Sequence, residues 1–137
     1  MTNKVIGYTT GVFDLFHVGH LNILSKAKEN CDHLVVGVTT DELCEKHKGK
    51  KPYIPYSERF EIVSAIGIVD QVVAQDTMDK LIAWNIIKFN KMFVGDDWKG
   101  TKKWLYLEQE FNKVNVDIIY FSYTKKTSST KIRNIID

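Results

Sequence analysis

Five short apolar runs, separated by longer segments with helical spacing, are the feature that most constrains the fold of this chain. The runs are rich in β-branched residues and predict strands at residues 5–8, 34–38, 71–74, 92–94 and 118–121. Several runs are apolar on both faces, as buried parallel strands are. Because strands that alternate with helices form parallel sheets covered on both faces, the sequence predicts a five-stranded α/β sheet.

The segments between these runs predict the helices and one long loop. Helices are expected at residues 19–30, 57–69, 79–90, 102–115 and 129–136. In the first helix, Leu21, Leu24 and Ala27 share one face, and Ser57 is a suitable N-cap for the second. Both prolines lie in residues 46–57, which therefore predict a loop.

Composition excludes several functional classes. The 137 residues are 44% apolar and 26% charged, with a formal net charge of +2, which is typical of one globular domain over residues 1–137. This charge does not indicate a nucleic-acid partner. No apolar run has the length of a signal peptide or a membrane span, so we expect a cytoplasmic protein without membrane insertion. Cys31 and Cys44 form no CxxC pair and are expected to be free thiols in predicted helices.

The stretch GVFDLFHVGH follows the first predicted strand and allows three interpretations. His17 and His20 are three residues apart, so on a helix they share one face. They could be core residues, or zinc ligands, although HVGH lacks the glutamate of HExxH and no third ligand has an established spacing. They could instead bind an anion, because Gly11 permits a tight turn, Gly19 permits close backbone approach, and a helix N-terminus offers N–H groups.

Two further polar stretches follow the fourth and fifth predicted strands. In GDDWKG, Asp97 and its neighbour could hold Mg²⁺ or bond to a ribose or base, and Trp98 could stack on a base; a solvated turn is the alternative. TSST, residues 127–130, provides hydroxyls at a helix start, either as ordinary caps or as phosphate ligands. Since ligands of parallel sheets bind outside the carboxyl ends of strands, all three stretches are expected to border one site.

A run of lysines lies in the predicted loop. Lys46, Lys48, Lys50 and Lys51 could simply be solvated, or they could form a mobile basic lid over a triphosphate.

Taken together, GVFDLFHVGH, the basic loop, GDDW and the C-terminal SSTK resemble the cytidylyltransferase branch of the nucleotidyltransferase superfamily. The resemblance extends over nearly the whole chain and is greatest to the bacterial members that use glycerol 3-phosphate. It implies a Rossmann-like doubly wound sheet, a homodimer, and Mg²⁺ bound with CTP rather than by a protein-only site. It also implies transfer of CMP from CTP to a small phosphorylated alcohol, giving a CDP-alcohol and pyrophosphate.

The resemblance also implies roles for individual residues. His17, His20 and Lys48 are expected to be catalytic, and Asp14, Lys48, Arg59 and Lys80 to bind the acceptor. The residues expected to bind the nucleotide are Thr10, Gly11, Val12, Phe13, His17, His20, Lys50, Asp97, Trp98, Thr124, Ser128, Ser129 and Thr130.

The chain departs from the family pattern at several positions. Val12 stands where the family commonly has threonine, and Gly67 where it has an arginine. The RTEGISTT-like motif is here YTKKTSST, so Tyr123 replaces an arginine and Lys126 a glycine. These departures concern mainly the identity of the acceptor.

Three alternative functions remain open at the level of sequence. The acceptor could be phosphocholine, phosphoethanolamine or another polyol phosphate. The chain could be an adenylyltransferase, such as an FAD-synthetase-like enzyme, because HxGH is shared with those enzymes. It could also be a non-catalytic nucleotide-binding module, which would bind CTP without releasing pyrophosphate.

Overall fold

The computed structural model of the chain describes residues 4–122 and 129–136. The strands are β1 (Ile6–Gly11), β2 (His33–Thr39), β3 (Gln71–Gln75), β4 (Lys91–Gly95) and β5 (Asp117–Phe121). The α-helices are α1 (Val18–Glu29), α2 (Asp41–Lys48), α3 (Tyr56–Ser64), α4 (Lys80–Ile87), α5 (Lys102–Asn112) and α6 (Ser129–Ile136). A single 3₁₀ turn, Asp96–Trp98, follows β4. Within these residues no helix is long and apolar enough to cross a membrane.

The five strands form one parallel sheet in the order β3-β2-β1-β4-β5. The chain moves outward in one direction from β1 to β3 and in the other from β4 to β5, so the strand order reverses between β1 and β4. This arrangement is the doubly wound α/β fold that the sequence predicts. The reversal point opens a crevice at the carboxyl ends of β1 and β4, where such sheets bind their ligands.

Each face of the sheet is covered by its own apolar cluster. On one face Tyr8 and Met92 pack with Trp104, Leu107 and Phe111 of α5. The residues of the other cluster come from the loop after β1, from α1 and α3, and from the sheet: Phe13, Leu24, Ala27, Leu34, Val36, Val38, Val63 and Phe93. Because both faces are buried, β2 contains no polar residue between its first residue, His33, and its last, Thr39.

The sequence-based boundaries differ from the structure in three places that affect the site. β1 runs to Gly11, because its ladder with β2 extends to that residue, and not to residue 8. Residues 41–48 form the helix α2, so Lys46 and Lys48 are helical and not in a loop. The helix predicted at residues 57–69 is the shorter α3, whose N-cap is Pro55 and not Ser57.

Smaller differences concern side chains. Leu24 and Ala27 are fully buried, whereas Leu21, predicted on the same face of α1, is 39% exposed. Cys44 lies within α2 as predicted, but Cys31 follows the end of α1; both are free thiols.

Candidate active site

A cleft of about 490 Å³ lies at the carboxyl ends of β1 and β4. We call it the switch-point cleft. Apolar side chains, among them Ile23, Met78 and Trp104, form much of its wall, and polar groups reach it from several elements. Six of the predicted site residues line it: Thr10, Gly11, Val12, Lys48, Lys80 and Trp98.

The two histidines cap the N-terminus of α1. His17 is the N-cap residue, and its Nδ1 accepts a hydrogen bond from the backbone N–H of Gly19 at 3.0 Å. His20 occupies the third helical position, and its Nδ1 accepts from the backbone N–H of His17 at 3.2 Å. This is a capping box in which imidazoles replace the usual hydroxyl and carboxylate groups.

The capping box determines the tautomer of both imidazoles. Because each Nδ1 accepts from a backbone N–H, a neutral ring must carry its proton on Nε2. Burial lowers the pKa of His17, and burial, together with the neighbouring His17, lowers the pKa of His20 to about 4. At neutral pH, His20 therefore presents an uncharged Nε2–H donor. The pair can donate hydrogen bonds to an anion.

Aromatic ring contacts and two residues with positive φ angles define the conformation of the first loop, residues 12–17. The ring of His20 lies 5.1 Å from that of Phe16 and 5.5 Å from that of Phe13, between centroids. Phe13 and Leu15 have positive φ angles of 55° and 52°, a left-handed conformation that is uncommon for non-glycine residues and is often stored at functional sites. Gly11 does not form the turn, but a Cβ there would lie 3.0 Å from the Phe13 ring.

Asp14 supports the loop that precedes α3. Its side chain is 2% exposed, and its two carboxylate oxygens accept the backbone N–H groups of Tyr53 and Ile54 at 2.9 Å each. This arrangement joins the first loop to residues 53 and 54. Contact with the acceptor remains a prediction for Asp14.

Arg59 joins four segments around the site and is fully buried. Its guanidinium donates to the carbonyls of Ile54 at 2.8 Å, Val12 at 2.6 Å and Thr39 at 2.7 Å. It also donates to the Asp41 carboxylate at 2.7 Å, which helps to lower the pKa of that group against the opposing effect of burial. Arg59 therefore positions the end of β1 through the Val12 carbonyl, and its predicted contact with the acceptor stays a prediction.

Lys80 is the buried cation of the cleft. Its side chain is 6% exposed, and its Nζ donates to Thr10 Oγ1 at 3.0 Å. Burial, followed by repulsion from Lys103, lowers the pKa of Lys80 to about 8. An ammonium in this setting would be stabilised by an anion in the cleft.

The other predicted nucleotide ligands are more exposed. Lys48 ends α2 beside the cleft, and Lys50 follows it on the surface. Trp98 is 46% exposed and lines the cleft, so one ring face is available to a planar base. Asp97 is exposed in the 3₁₀ turn.

Phe13, Asp14, His17, His20, Lys50, Arg59 and Asp97 do not line the switch-point cleft among the residues described. The histidines lie at the start of α1, beyond the first loop. Thr124 and Ser128 lie outside the described residues. Ser129 and Thr130 are the first two residues of α6.

Several cleft residues were missed from the sequence. Thr39 Oγ1 lies 3.1 Å from the Gly11 carbonyl and 2.7 Å from Gln75 Oε1, and both Thr39 and Gln75 are buried. His47 and Lys103 also line the cleft. Two adjacent lysines at a helix start, where acidic residues are preferred, could have drawn attention to Lys103.

Within residues 4–122 and 129–136, no group of three or more histidine, cysteine or carboxylate side chains could hold a metal ion. The two histidines use their Nδ1 atoms in the capping box, which leaves one nitrogen on each ring for any ligand.

Strand order and site together define a doubly wound α/β protein with lysine side chains in a cleft at its switch point. The family model described as cytidylyltransferase-like matches residues 8–135. Because this match covers nearly the whole chain, the chain belongs to the cytidylyltransferase-like family.

Several proteins of known name are similar to this chain over most of its length. A glycerol-3-phosphate cytidylyltransferase of Bacillus subtilis (strain 168) is 36% identical, with 97% of this chain and 96% of the relative covered. An FAD synthase of Thermococcus sibiricus is 34% identical, covering 97% and 90%. The solved structure of a lipopolysaccharide core biosynthesis protein from Thermoplasma volcanium has a TM-score of 0.78 at 27% identity, covering 90% and 100%.

Proposed function

We propose that this protein transfers CMP from CTP to a small phosphorylated alcohol, with glycerol 3-phosphate as the preferred acceptor. The observation that carries the proposal is the histidine capping box. His17 and His20 use Nδ1 to cap α1 and so retain Nε2–H donors for an anionic ligand. Trp98 supports a base-binding role for the same region, and the similarity to glycerol-3-phosphate cytidylyltransferases supports CTP and this acceptor.

The proposed chemistry needs no protein nucleophile. A phosphomonoester has a second pKa of about 6, so at neutral pH the acceptor is mostly a dianion. One of its oxygens attacks the α-phosphorus of CTP in line, forming a new P–O bond. The bond from the α-phosphorus to the bridging oxygen breaks, and pyrophosphate leaves with that electron pair.

The protein's part is to position two anions and to stabilise the charge that develops between them. His17 and His20 donate to the triphosphate, while Lys48 and Lys80 offset the charge of the reacting phosphates. Mg²⁺ enters as part of the nucleotide substrate, because this ion keeps phosphate oxygens and water as ligands. Carboxylates on Asp97 or elsewhere need not hold it.

The proposal includes a homodimer in the cytoplasm. The edge strand β3 and the exposed Ile82 and Ile86 of the neighbouring α4 support a second copy as a partner. The free thiols of Cys31 and Cys44 support a reducing compartment.

The direct test is to supply purified protein with CTP, Mg²⁺ and glycerol 3-phosphate and to measure pyrophosphate. We expect pyrophosphate and CDP-glycerol in equal amounts. Phosphocholine, phosphoethanolamine and other polyol phosphates form the comparison panel. If no phosphorylated alcohol releases pyrophosphate from CTP, the proposal is wrong.

A second candidate rests on the similarity to FAD synthases, which favours adenylyl transfer from ATP to a flavin phosphate. ATP with flavin mononucleotide therefore belongs in the same assay. FAD formation that exceeds CDP-glycerol formation in kcat/KM would favour this candidate. CTP binding without pyrophosphate release from either pair would indicate a non-catalytic module.

A further inference from the structure

A third lysine reaches the switch-point cleft, from α5. Lys103 lines the cleft with Lys48 and Lys80, and it comes from the helix that follows β4 whereas Lys80 begins the helix that precedes it. Lys103 is close enough to Lys80 to help lower its pKa. Lys80 and Lys103 are therefore two cations of the cleft that repel each other.

Neither of these lysines has a counter-charge in the part of the chain that the structure describes. No carboxylate lies within 4.0 Å of either ammonium there, and the bond of Lys80 is to the neutral hydroxyl of Thr10. Burying the Lys80 ammonium without an anion is costly, and the exposed Lys103 adds repulsion to that cost. This arrangement is explained if a bound anion supplies negative charge to both lysines.

The position of Lys103 adds to this cost. Thr101 caps α5, and the first turn of the helix contains Lys102 and Lys103 but no acidic residue. Cations at a helix N-terminus are disfavoured by the helix dipole, so the local fold gains nothing from Lys103. Its neighbour Lys102 is equally exposed but does not line the cleft.

The lysine pair and the two histidines lie at opposite ends of the first loop. His17 and His20 cap α1 and do not line the cleft. The first loop lies between them and Thr10, the hydroxyl partner of Lys80. A reaction between two phosphorylated substrates requires two anion sites of this kind.

We propose that Lys103 and Lys80 together hold the dianionic phosphate of the acceptor, and that Lys103 is thereby a specificity-determining residue for phosphomonoesters. This inference rests on the proposed function and deepens it. Two cations match two negative charges, so a phosphodiester with a single charge binds less well. Val12, Met78 and Trp104 contribute apolar wall to the cleft and offer no side-chain group that competes for the phosphate.

The first test compares Lys103→Met with the matched control Lys102→Met in the pyrophosphate assay. We expect Lys103→Met to raise the KM for glycerol 3-phosphate about tenfold, while the KM for CTP changes less than about twofold. Lys102→Met should behave as wild type, and Lys103→Arg should restore most of the acceptor affinity. Equal kinetics for the two methionine variants, or a rise confined to the KM for CTP, would overturn the inference.

The second test does not depend on turnover. Lysine side chains are labelled with ¹³C, and the pKa of Lys80 is followed by NMR with inorganic phosphate or dimethyl phosphate as the ligand. Inorganic phosphate should raise the pKa of Lys80 in wild type and raise it less in Lys103→Met. Dimethyl phosphate should have a smaller effect than inorganic phosphate.

Together, the two tests distinguish a failure of the proposed reaction from a failure of the role proposed for Lys103. If wild type releases no pyrophosphate with any acceptor but phosphate still raises the pKa of Lys80, the proposed reaction is wrong and the dianion site stands. If wild type turns over but Lys103→Met leaves both the acceptor KM and the phosphate response unchanged, the reaction stands and the role of Lys103 is wrong.

Discussion

The first loop and the lysine-rich segment at residues 46–51 both border the candidate active site, yet they are held in opposite ways. In the first loop, Asp14 accepts two backbone N–H groups and Arg59 binds the Val12 carbonyl. In the lysine-rich segment, the side chains of Lys48 and Lys50 are exposed and form no ion pair with any described carboxylate. The 3.7 Å pair of Lys51 with Glu45 is also largely exposed.

The first loop is therefore preorganised, whereas the lysine side chains can adapt to a ligand. Groups held before the substrate arrives lose little conformational entropy on binding, so the first loop is suited to stabilising charge in the transition state. Exposed lysines must be ordered by the ligand, which suits a segment that closes over a bound nucleotide. Substitutions in the first loop should therefore affect the chemical step or the fold, and those at residues 46–51 should affect substrate binding more than stability.

The largest effect is expected from removing the imidazole donors while keeping the capping box. Asn is a good N-cap and Glu suits the third helical position, so His17→Asn and His20→Glu retain the caps. The shorter Asn amide does not reach the position of the imidazole Nε2–H, and a Glu carboxylate has no N–H donor. Each should lower kcat by at least about 100-fold, with unfolding free energy within about 1 kcal/mol of wild type. Pyrophosphate release and urea unfolding measure the two quantities.

His17→Ala provides the comparison, because it loses both the donor and the cap. It should match His17→Asn in turnover and be less stable by about 1 kcal/mol. Near-normal turnover in His17→Asn would remove that imidazole from the mechanism.

The next effect concerns the fold around the loop. Arg59→Met leaves three carbonyls and the Asp41 carboxylate without their donor, so we expect the unfolding free energy to fall by about 3 kcal/mol. Urea unfolding monitored by tryptophan fluorescence measures this change. Lys28→Met is the control, since it breaks a half-exposed pair with Asp70 and should cost about 1 kcal/mol or less. A similar loss of unfolding free energy in both variants would contradict the stabilising role of the buried Arg59 hydrogen bonds.

A smaller effect is expected in the exposed segment. Lys48→Ala removes a cation at the cleft, and we expect the KM for the acceptor to rise about tenfold. The free energy of unfolding should stay within about 0.5 kcal/mol of wild type. Lys46→Ala is the matched control on the same helix, because Lys46 does not line the cleft. A loss of stability in Lys48→Ala would show that this segment is as firmly held as the first loop.

The smallest effect is a pH dependence that arises from Lys80. Its pKa of about 8 means that the ammonium is present below that pH and lost above it. If only the charged form binds the acceptor, kcat/KM for the acceptor should fall about fourfold between pH 7 and pH 8.5. The titratable groups that share the cleft are His47, Lys48 and Lys103. A profile that is flat to pH 9.5 would exclude Lys80 as the acceptor's cation.

Much of the fold could be predicted from the sequence because both faces of the sheet are buried. Uninterrupted apolar runs such as that in β2 have few alternatives to a parallel sheet, and all five strands lie where the runs predict them. The end of β1 was missed because Thr9 and Thr10 are polar, although their backbones continue the ladder. Cys44 was placed in a helical segment, but the bounds of α2 were missed because residues 41–48 contain few apolar residues and show no helical period.

The sequence by itself determined the order of the five strands, the family and the pairing of His17 with His20 at the start of α1, because these depend on local spacing. Only the tertiary structure decided which nitrogen of each imidazole is occupied, that Arg59 is fully buried, and that Lys80 and Lys103 share one cleft. These facts depend on contacts between segments far apart in the chain. Burial and charge then set the state of each group, and neither can be read from a residue's immediate neighbours in sequence.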